Sequence, residues 1–318
     1  MVINIKTGKA SGAGVVRQNS LKAWVLAARP KTLAGAMVPV MLGSAFAWKT
    51  VYDTNQLERI GDEILFCIRI VVNVLCFLFA MVMQIDANFV NDYFDCVHGN
   101  DNETRLGPER ACAMGWVSLK AMRWAMAITT ILAALVGLPL IFVGGWEMIL
   151  VGASCILFCF LYTTYLAGLG MGDLLVVVFF GIVPVCFTSY LVCGVMPPWV
   201  LGVACGLVVD TLLIVNNYRD FDNDRNAGKR TLVVMIGKKY SEWLYITLPT
   251  LALVAVLFQY GWSEKNMLLC FCVYFLFVQS WNQMRMIKSG RALNKILGKT
   301  ARNIFLFGIL ISLLVIFS

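Results

Sequence analysis

Apolar residues in this chain come in long, nearly unbroken runs, with none of the alternation expected of half-buried strands. Nine runs of about 20 residues can be marked, at 30–48, 64–90, 121–143, 146–166, 173–194, 198–217, 242–261, 266–284 and 302–318. The first is short, and only "VGGWE" separates the third from the fourth. Each run predicts a helix that crosses a bilayer, so the expected fold is all-α and polytopic, with the two termini on opposite sides. Composition sharpens this reading. Of 318 residues 60% are hydrophobic and 14% charged, and the mean hydropathy is +0.78, values that exclude a soluble domain folded around one core.

Lys and Arg orient the helices, because cationic loops stay in the cytoplasm. With the N-terminus inside, the cytoplasmic segments hold six cations (Lys6 to Lys31), four (Arg105 to Arg123), none, six (Arg219 to Lys239) and six (Arg285 to Arg302), which is 22 of the 26. Lys49, Arg59, Arg69 and Lys265 are the remainder. The formal charge of +8 is then a record of topology, and no nucleic-acid partner is needed to explain it.

Residues 1–21 are polar and rich in Gly and Ser, without the apolar stretch of a signal peptide; they are read as a mobile cytoplasmic arm ahead of a transmembrane domain at 22–318. "LKAWVLAARPKT" mixes Trp24 and Leu26 with Lys22, Arg29 and Lys31, as a segment lying in the interface would. The eleven cysteines fall mostly inside apolar runs and form no CxxC pair, so they are read as small buried hydrophobes.

Polar chemistry concentrates at two places. "NFVNDYFDCVHGND" follows the second run and "NNYRDFDNDRNAGKRTL" the sixth, both at cytoplasmic ends. Asn91 and Asn216 are 125 residues and four spans apart, as in a chain of two four-helix halves plus one helix. Asn91 to Asp95, Asn216 to Asp220 and Asp220 to Asp224 are all i to i+4, which on a helix stacks side chains on one face roughly 5–6 Å apart at Cβ. Carboxylates so close repel one another, and the negative helix end adds to the cost. A hard cation with few protein ligands and room for phosphate oxygens, Mg²⁺ rather than caged Ca²⁺, answers that. Arg105, Arg219, Arg225, Lys229 and Arg230 lie alongside, suited to phosphate. Together these point to a metal-bridged diphosphate at the membrane surface.

Other polar residues are read more plainly. His98 sits beside Gly99 in a turn-like stretch without zinc-site partners. Asp86 and Gln84, inside the second run, are costly in lipid and should face the bundle interior. Asp173 in "GLGMGD" is read as a helix N-cap or a residue supporting the site.

At "QIDANFVNDYFDCVHGND" and "NNYRDFDNDRNAGKRTLVV", with "ARPKTL" before and "RLGPERA" between, the chain resembles the UbiA superfamily of intramembrane prenyltransferases, and within it the 1,4-dihydroxy-2-naphthoate polyprenyltransferases of menaquinone synthesis. The likeness runs from about Ala28 to the last span. It implies a nine-helix bundle around a central cavity, in the cell (inner) membrane, with a cytoplasmic-facing site for Mg²⁺, two ions bridging the diphosphate, and a polyprenyl diphosphate. It further implies Asn91, Asp95, Asp220 and Asp224 as catalytic metal ligands; Asn88, Asp92 and Asp101 completing the cap; Arg105, Arg219 and Lys229 on the diphosphate; and Arg29 and Tyr162 facing the cavity.

One departure from the family pattern stands out: where many members carry Tyr-x-x-x-Lys after the fourth span, "YTTYLAG" places Leu166 four residues after Tyr162. The implied chemistry is ionisation of an allylic diphosphate and capture of the cation by an electron-rich aromatic carbon, with loss of CO₂ when the acceptor is the naphthoate. Tyr93, Phe94, Tyr162 and Tyr218 could flank the cation or simply pack. The alternatives are another acceptor (4-hydroxybenzoate, homogentisate, haem or a glycerol phosphate) and a secondary transporter, whose charges would sit near the midplane.

Overall fold

In the computed structural model, residues 16–54, 62–99 and 105–318 are described. Asp101, Lys6 and most of the arm expected at 1–21 lie outside them. The described residues contain ten helices and no strand: α1 Leu21–Ala28, α2 Leu33–Asp53, α3 Asp62–Val97, α4 Leu119–Gly144, α5 Glu147–Thr164, α6 Gly172–Cys193, α7 Trp199–Asn226, α8 Leu232–Tyr260, α9 Glu264–Ile287 and α10 Leu293–Ile316. From α3 to α10 each is long and apolar enough to span a bilayer, and α1 with α2 forms a ninth, broken span bent by 56°. The molecule is therefore an integral membrane protein of about nine spans. The break falls at Arg29, whose backbone is left-handed (φ 51°), followed by a turn over Pro30–Thr32. Ser20, Ser118, Thr231 and Ser263 cap α1, α4, α8 and α9 by accepting the backbone N–H three residues on.

Two boundaries differ usefully from the hydropathy pattern. The second run ends at 90, but α3 continues to Val97; the sixth ends at 217, but α7 continues to Asn226. Both polar motifs are thus the projecting ends of membrane helices. Continuous backbone hydrogen bonding carries the helix past the point where apolar side chains stop, and that makes the i, i+4 spacing real.

α2 lies at the centre, packed on α3, α6, α7 and α10, and α10 returns to close the ring against α2 and α9. The largest core joins α2, α6, α7, α8, α9 and α10 around Leu42, Leu201, Phe277 and Phe307. α6 and α7 approach unusually closely. A Cβ on Gly206 would lie 2.6 Å from the Val177 Cα, and one on Gly181 2.6 Å from the Gly206 Cα, so only glycine permits this contact. Asp86, fully buried in α3, accepts hydrogen bonds from Thr129 (2.5 Å) and Thr130 (2.8 Å) of α4. Turned inward, as its cost in lipid requires, it fastens those two helices. α5 is the exception to the packing: it has no buried residue, leans on α3, and meets α6 through the Phe158 and Phe179 rings, 4.8 Å apart.

Candidate active site

The helices enclose a cavity of about 660 Å³, within the range of small-molecule sites. One part of its lining is polar: Asn88, Asn91 and Asp95 from α3, Asn216, Asp220 and Asp224 from α7, with Arg29, Arg105, Arg110 and Lys229 among them. The rest is mainly apolar, with Phe79, Met83, Leu140, Met148, Phe179, Phe187 and Leu191. Facing helices from the two halves thus present their oxygen ligands to one space.

Each ligand is held by a neighbour. Asn91 accepts a hydrogen bond from Thr163 of α5. Asn88 donates to the Ala28 carbonyl (2.9 Å) and the Thr32 hydroxyl (3.0 Å), pinning the α1–α2 elbow to α3. Asp95 pairs with Arg110 at 2.9 Å. Asp220 is gripped on both oxygens by Arg219, whose Nε donates to Oδ1 at 2.9 Å and whose Nη2 donates to Oδ2. Asp224 lies 3.8 Å from Lys229.

Two residues expected on the substrate are placed elsewhere. Asp92 is fully buried, does not line the cavity, and accepts the N–H groups of Ala111 (3.0 Å) and Cys112 (3.3 Å). It ties down the loop after the first motif. Arg219, 2% exposed, also lies behind the lining, and donates to Asn216 (2.7 Å) and Asn294 (2.9 Å) besides Asp220. Both lie at the edge of the arc that their helix turns to the cavity and are drawn behind it by these partners. Gly107 covers Arg219 so closely that a Cβ there would meet Nη2 at 2.7 Å.

Further corrections are smaller. Arg225 and Arg230 are exposed and do not line the cavity. Asp173 is the second residue of α6; Met171 holds the N-cap position, and no side-chain hydrogen bond caps the helix. Tyr218 is buried and donates to Glu242 at 2.7 Å, and Tyr93 and Phe94 pack on each other; of the four aromatics only Tyr162 lines the cavity. His98 reaches the cavity edge, stacked on Phe94. Arg110 and Thr163 are the residues that sequence spacing missed.

Among the described residues no three His, Cys, Asp or Glu side chains converge tightly enough to hold a metal alone. The donor set is nonetheless the kind Mg²⁺ takes, a few hard oxygens leaving positions for phosphate and water. Asn91, Asp95, Asp220 and Asp224 are the side chains that would hold it.

The sequence pattern of the UbiA prenyltransferase family matches residues 36–297. The chain belongs to the UbiA prenyltransferase family. It is accordingly a membrane-embedded prenyltransferase. The 1,4-dihydroxy-2-naphthoate octaprenyltransferase of Escherichia coli (strain K12) is 34% identical over 235 residues, covering 68% of this chain and 69% of that one. The enzyme of the same description from Mycobacterium tuberculosis is 34% identical over 233 residues, 71% and 74% of the two chains. Among solved structures, a UbiA homolog from Archaeoglobus fulgidus bound to DMAPP and Mg²⁺ superposes with a TM-score of 0.62 at 11% identity, over 91% of this chain and 99% of that one. The shared UbiA architecture therefore extends well beyond recognisable sequence.

Proposed function

We propose that this enzyme transfers a polyprenyl group from an allylic polyprenyl diphosphate to 1,4-dihydroxy-2-naphthoate with loss of CO₂, giving the demethylated quinol of menaquinone synthesis. The observation that carries this reading is the division of one cavity into an oxygen- and cation-rich end, built by α3 and α7, and an apolar remainder. A diphosphate belongs at the first and an isoprenoid chain in the second. The names of the two bacterial relatives supply the acceptor.

Mg²⁺, two ions in this reading, supplies electrostatic stabilisation of the charge that develops on the leaving diphosphate. Asn91, Asp95, Asp220 and Asp224 hold the metal side of that complex. Arg105 and Lys229 line the cavity at the same end and meet phosphate oxygens. Arg219 and Asp92 act one step back, the first fixing Asp220, the second fixing the loop that carries Arg105 and Arg110. The C–O bond of the allylic diphosphate breaks, and the ring carbon bearing the carboxylate captures the cation. Loss of CO₂ restores aromaticity, so no protein base has to remove a ring proton. The apolar walls keep water from the cation.

Lys229 lies near the departure at Leu166. The Arg230 N–H donates to the Gly168 carbonyl at 2.9 Å, which brings Lys229 to the turn after α5, where the family pattern would place its lysine. We assign the site to the cytoplasmic face of the cell's inner membrane, with the N-terminus inside, from the distribution of Lys and Arg.

The test is a reaction balance with purified protein, Mg²⁺, a labelled allylic diphosphate and a panel of aromatic acceptors. One CO₂ per diphosphate released, and a lipid product lacking the acid, are expected with the naphthoate. Turnover with 4-hydroxybenzoate alone, or a prenylated product that keeps its carboxylate, overturns the assigned acceptor.

A further inference from the structure

The close seam between α6 and α7 does not end at its glycines. The two helices run antiparallel. A Cβ on Gly206 would lie 2.6 Å from the Val177 Cα, and one on Gly172 would lie 3.4 Å from the Leu213 Cδ2. Between these two crossings, one turn along each helix from Val177 and Gly206, the register sets Asp173 opposite Asp210. Asp210 is 3% exposed, and the Oδ1 atoms of both aspartates are buried without a hydrogen-bond partner. Asp173 accepts its own backbone N–H, and its charge bears on Asp210. Among the described residues no cation forms an ion pair with either. Neither aspartate lines the cavity, but Tyr162, Val209 and Leu213 in front of them do. The Tyr162 hydroxyl would stand 3.7 Å from a Cβ on Gly172, and both carboxylates act on it.

We propose that Asp173 and Asp210 share one proton, and that the single negative charge they keep behind Tyr162 is a fixed counter-charge for the allylic cation. The proposal rests on the prenyl-transfer reading above, and both aspartates act in it as positioning residues, from behind the cavity wall. Two ionised carboxylates facing each other in a seam without water or cation repel strongly. One proton between the facing oxygens removes that repulsion and gives each unpartnered oxygen a bond of the strong, charge-assisted kind. The remaining charge is held because Asp173 stands in the first turn of α6, at the positive end of its dipole. Asp210 lies six residues before Asn216 on α7, about 9 Å further from the oxygen-lined end, the depth of an isoprenoid head rather than of its diphosphate. When the C–O bond breaks, the metal and cations serve the leaving group, and the pair serves the carbon fragment. A carboxylate open to the cavity would capture that cation as an ester. Behind the wall it attracts without reacting.

Asparagine substitution in the detergent-solubilised full chain separates charge from shape. Asp173→Asn and Asp210→Asn each leave one carboxylate facing an amide N–H, which imitates the shared proton. The double variant keeps an amide pair but no charge. Its kcat should fall at least about tenfold, the scale of one charge acting across about 8 Å of protein, with the KM for the diphosphate unchanged. The losses of the two single variants should together fall well short of that. Asp173→Asn/Asp210→Thr, equally uncharged, takes the place of the double variant if that does not elute as folded protein. Infrared difference spectra, which need no substrate, should show a protonated-carboxyl band in wild type that shifts in D₂O and is lost in either single variant. A folded, uncharged double variant as fast as wild type overturns the counter-charge. Single-variant losses that simply add up to the double, or no band lost, overturn the shared proton. Rates are read as diphosphate released with whichever aromatic acceptor wild type uses, so a wrong acceptor leaves the comparison intact. Wild type that releases no diphosphate with any acceptor overturns the prenyl-transfer reading, and the infrared band still decides the pair.

Discussion

Arg219 and Asp220 are neighbours in sequence whose side chains close a two-pronged bond beside the cavity, the Nε of one 2.9 Å from the Oδ1 of the other. Adjacent residues on a helix normally point about 100° apart. Here the long arginine folds back along α7 from behind the lining, so that Asp220 is presented with its orientation fixed. Replacing Arg219 by Gln leaves a mostly buried carboxylate uncompensated, a change that typically costs about 3–5 kcal/mol. The expected outcome is a clear fall in thermal midpoint in detergent together with a loss of turnover of at least about tenfold. Arg219→Lys cannot hold Asp220, Asn216 and Asn294 at once and should recover part of the stability but little of the rate. An unchanged midpoint in Arg219→Gln would contradict the assigned role.

Asp92 and Asp95 are three residues apart on α3, yet their substitutions should read out differently. Asp95→Asn removes a charge facing the cavity and should lower turnover at least about a hundredfold, the scale of losing one electrostatic stabiliser, and because it also breaks the pair with Arg110 a lower thermal midpoint is expected beside the kinetic loss. Asp92→Asn weakens the two bonds that hold residues 111–112 and should cost about 1.5–3 kcal/mol of stability, as for hydrogen bonds to a charged group. Enzyme that stays folded should keep a near-normal KM for the diphosphate. Kinetics and thermal melts of the two purified variants check both, and a hundredfold loss in fully stable Asp92→Asn would return it to the cavity.

Activity should vanish on treatment with EDTA and return with added Mg²⁺. Asp220→Asn should show the same hundredfold deficit as Asp95→Asn, because the ligands from α3 and α7 face one space. Full turnover after chelation would exclude the metal from the chemistry.

Gly107→Ala asks whether the loop over Arg219 matters. The new Cβ would stand 2.7 Å from Nη2 and 3.1 Å from Cζ of a guanidinium fixed by three side chains, so neither side gives easily. Overpacking of this kind costs about 1–3 kcal/mol. A lowered thermal midpoint and a rise in KM for the diphosphate are expected, whereas a neutral substitution would show that the loop moves freely.

Single-cysteine labelling from either side of sealed vesicles should place positions 22 and 229 together and position 265 opposite, as the cation distribution requires. Labelling of 22 and 229 from different sides would dismantle the shared site.

Much of the architecture was legible because its signals are local. Apolar runs mark spans whatever they pack against, and i, i+4 spacing brings Asn91 to Asp95 and Asp220 to Asp224 on faces that do meet. Helical phase alone does not set Asp92 and Arg219 aside, since neighbours such as Asn216 and Asn217 both line the cavity; it is their partners at 111–112 and Asn294 that do. Arg110 was beyond that reach. Its partner lies fifteen residues back across a loop without periodicity, and only the folded path of residues 105–112 brings the two together. Thr163 joins Asn91 across 72 residues, a distance at which spacing carries no information. The break at Arg29 had a visible cause in the following proline, but its left-handed backbone did not.

The thinness of one wall has a consequence for what the enzyme can measure. α5 buries none of its residues and meets α6 in part through the Phe158 and Phe179 rings, whereas the oxygen-lined end is braced by ion pairs and hydrogen bonds to Asn88, Asn91, Asp95 and Asp220. A rigid mould can count carbon atoms; a partition one loosely seated helix thick cannot. For the proposed reaction this predicts selection on the donor's phosphate head, so that donors differing only in their number of isoprene units should be used at similar rates.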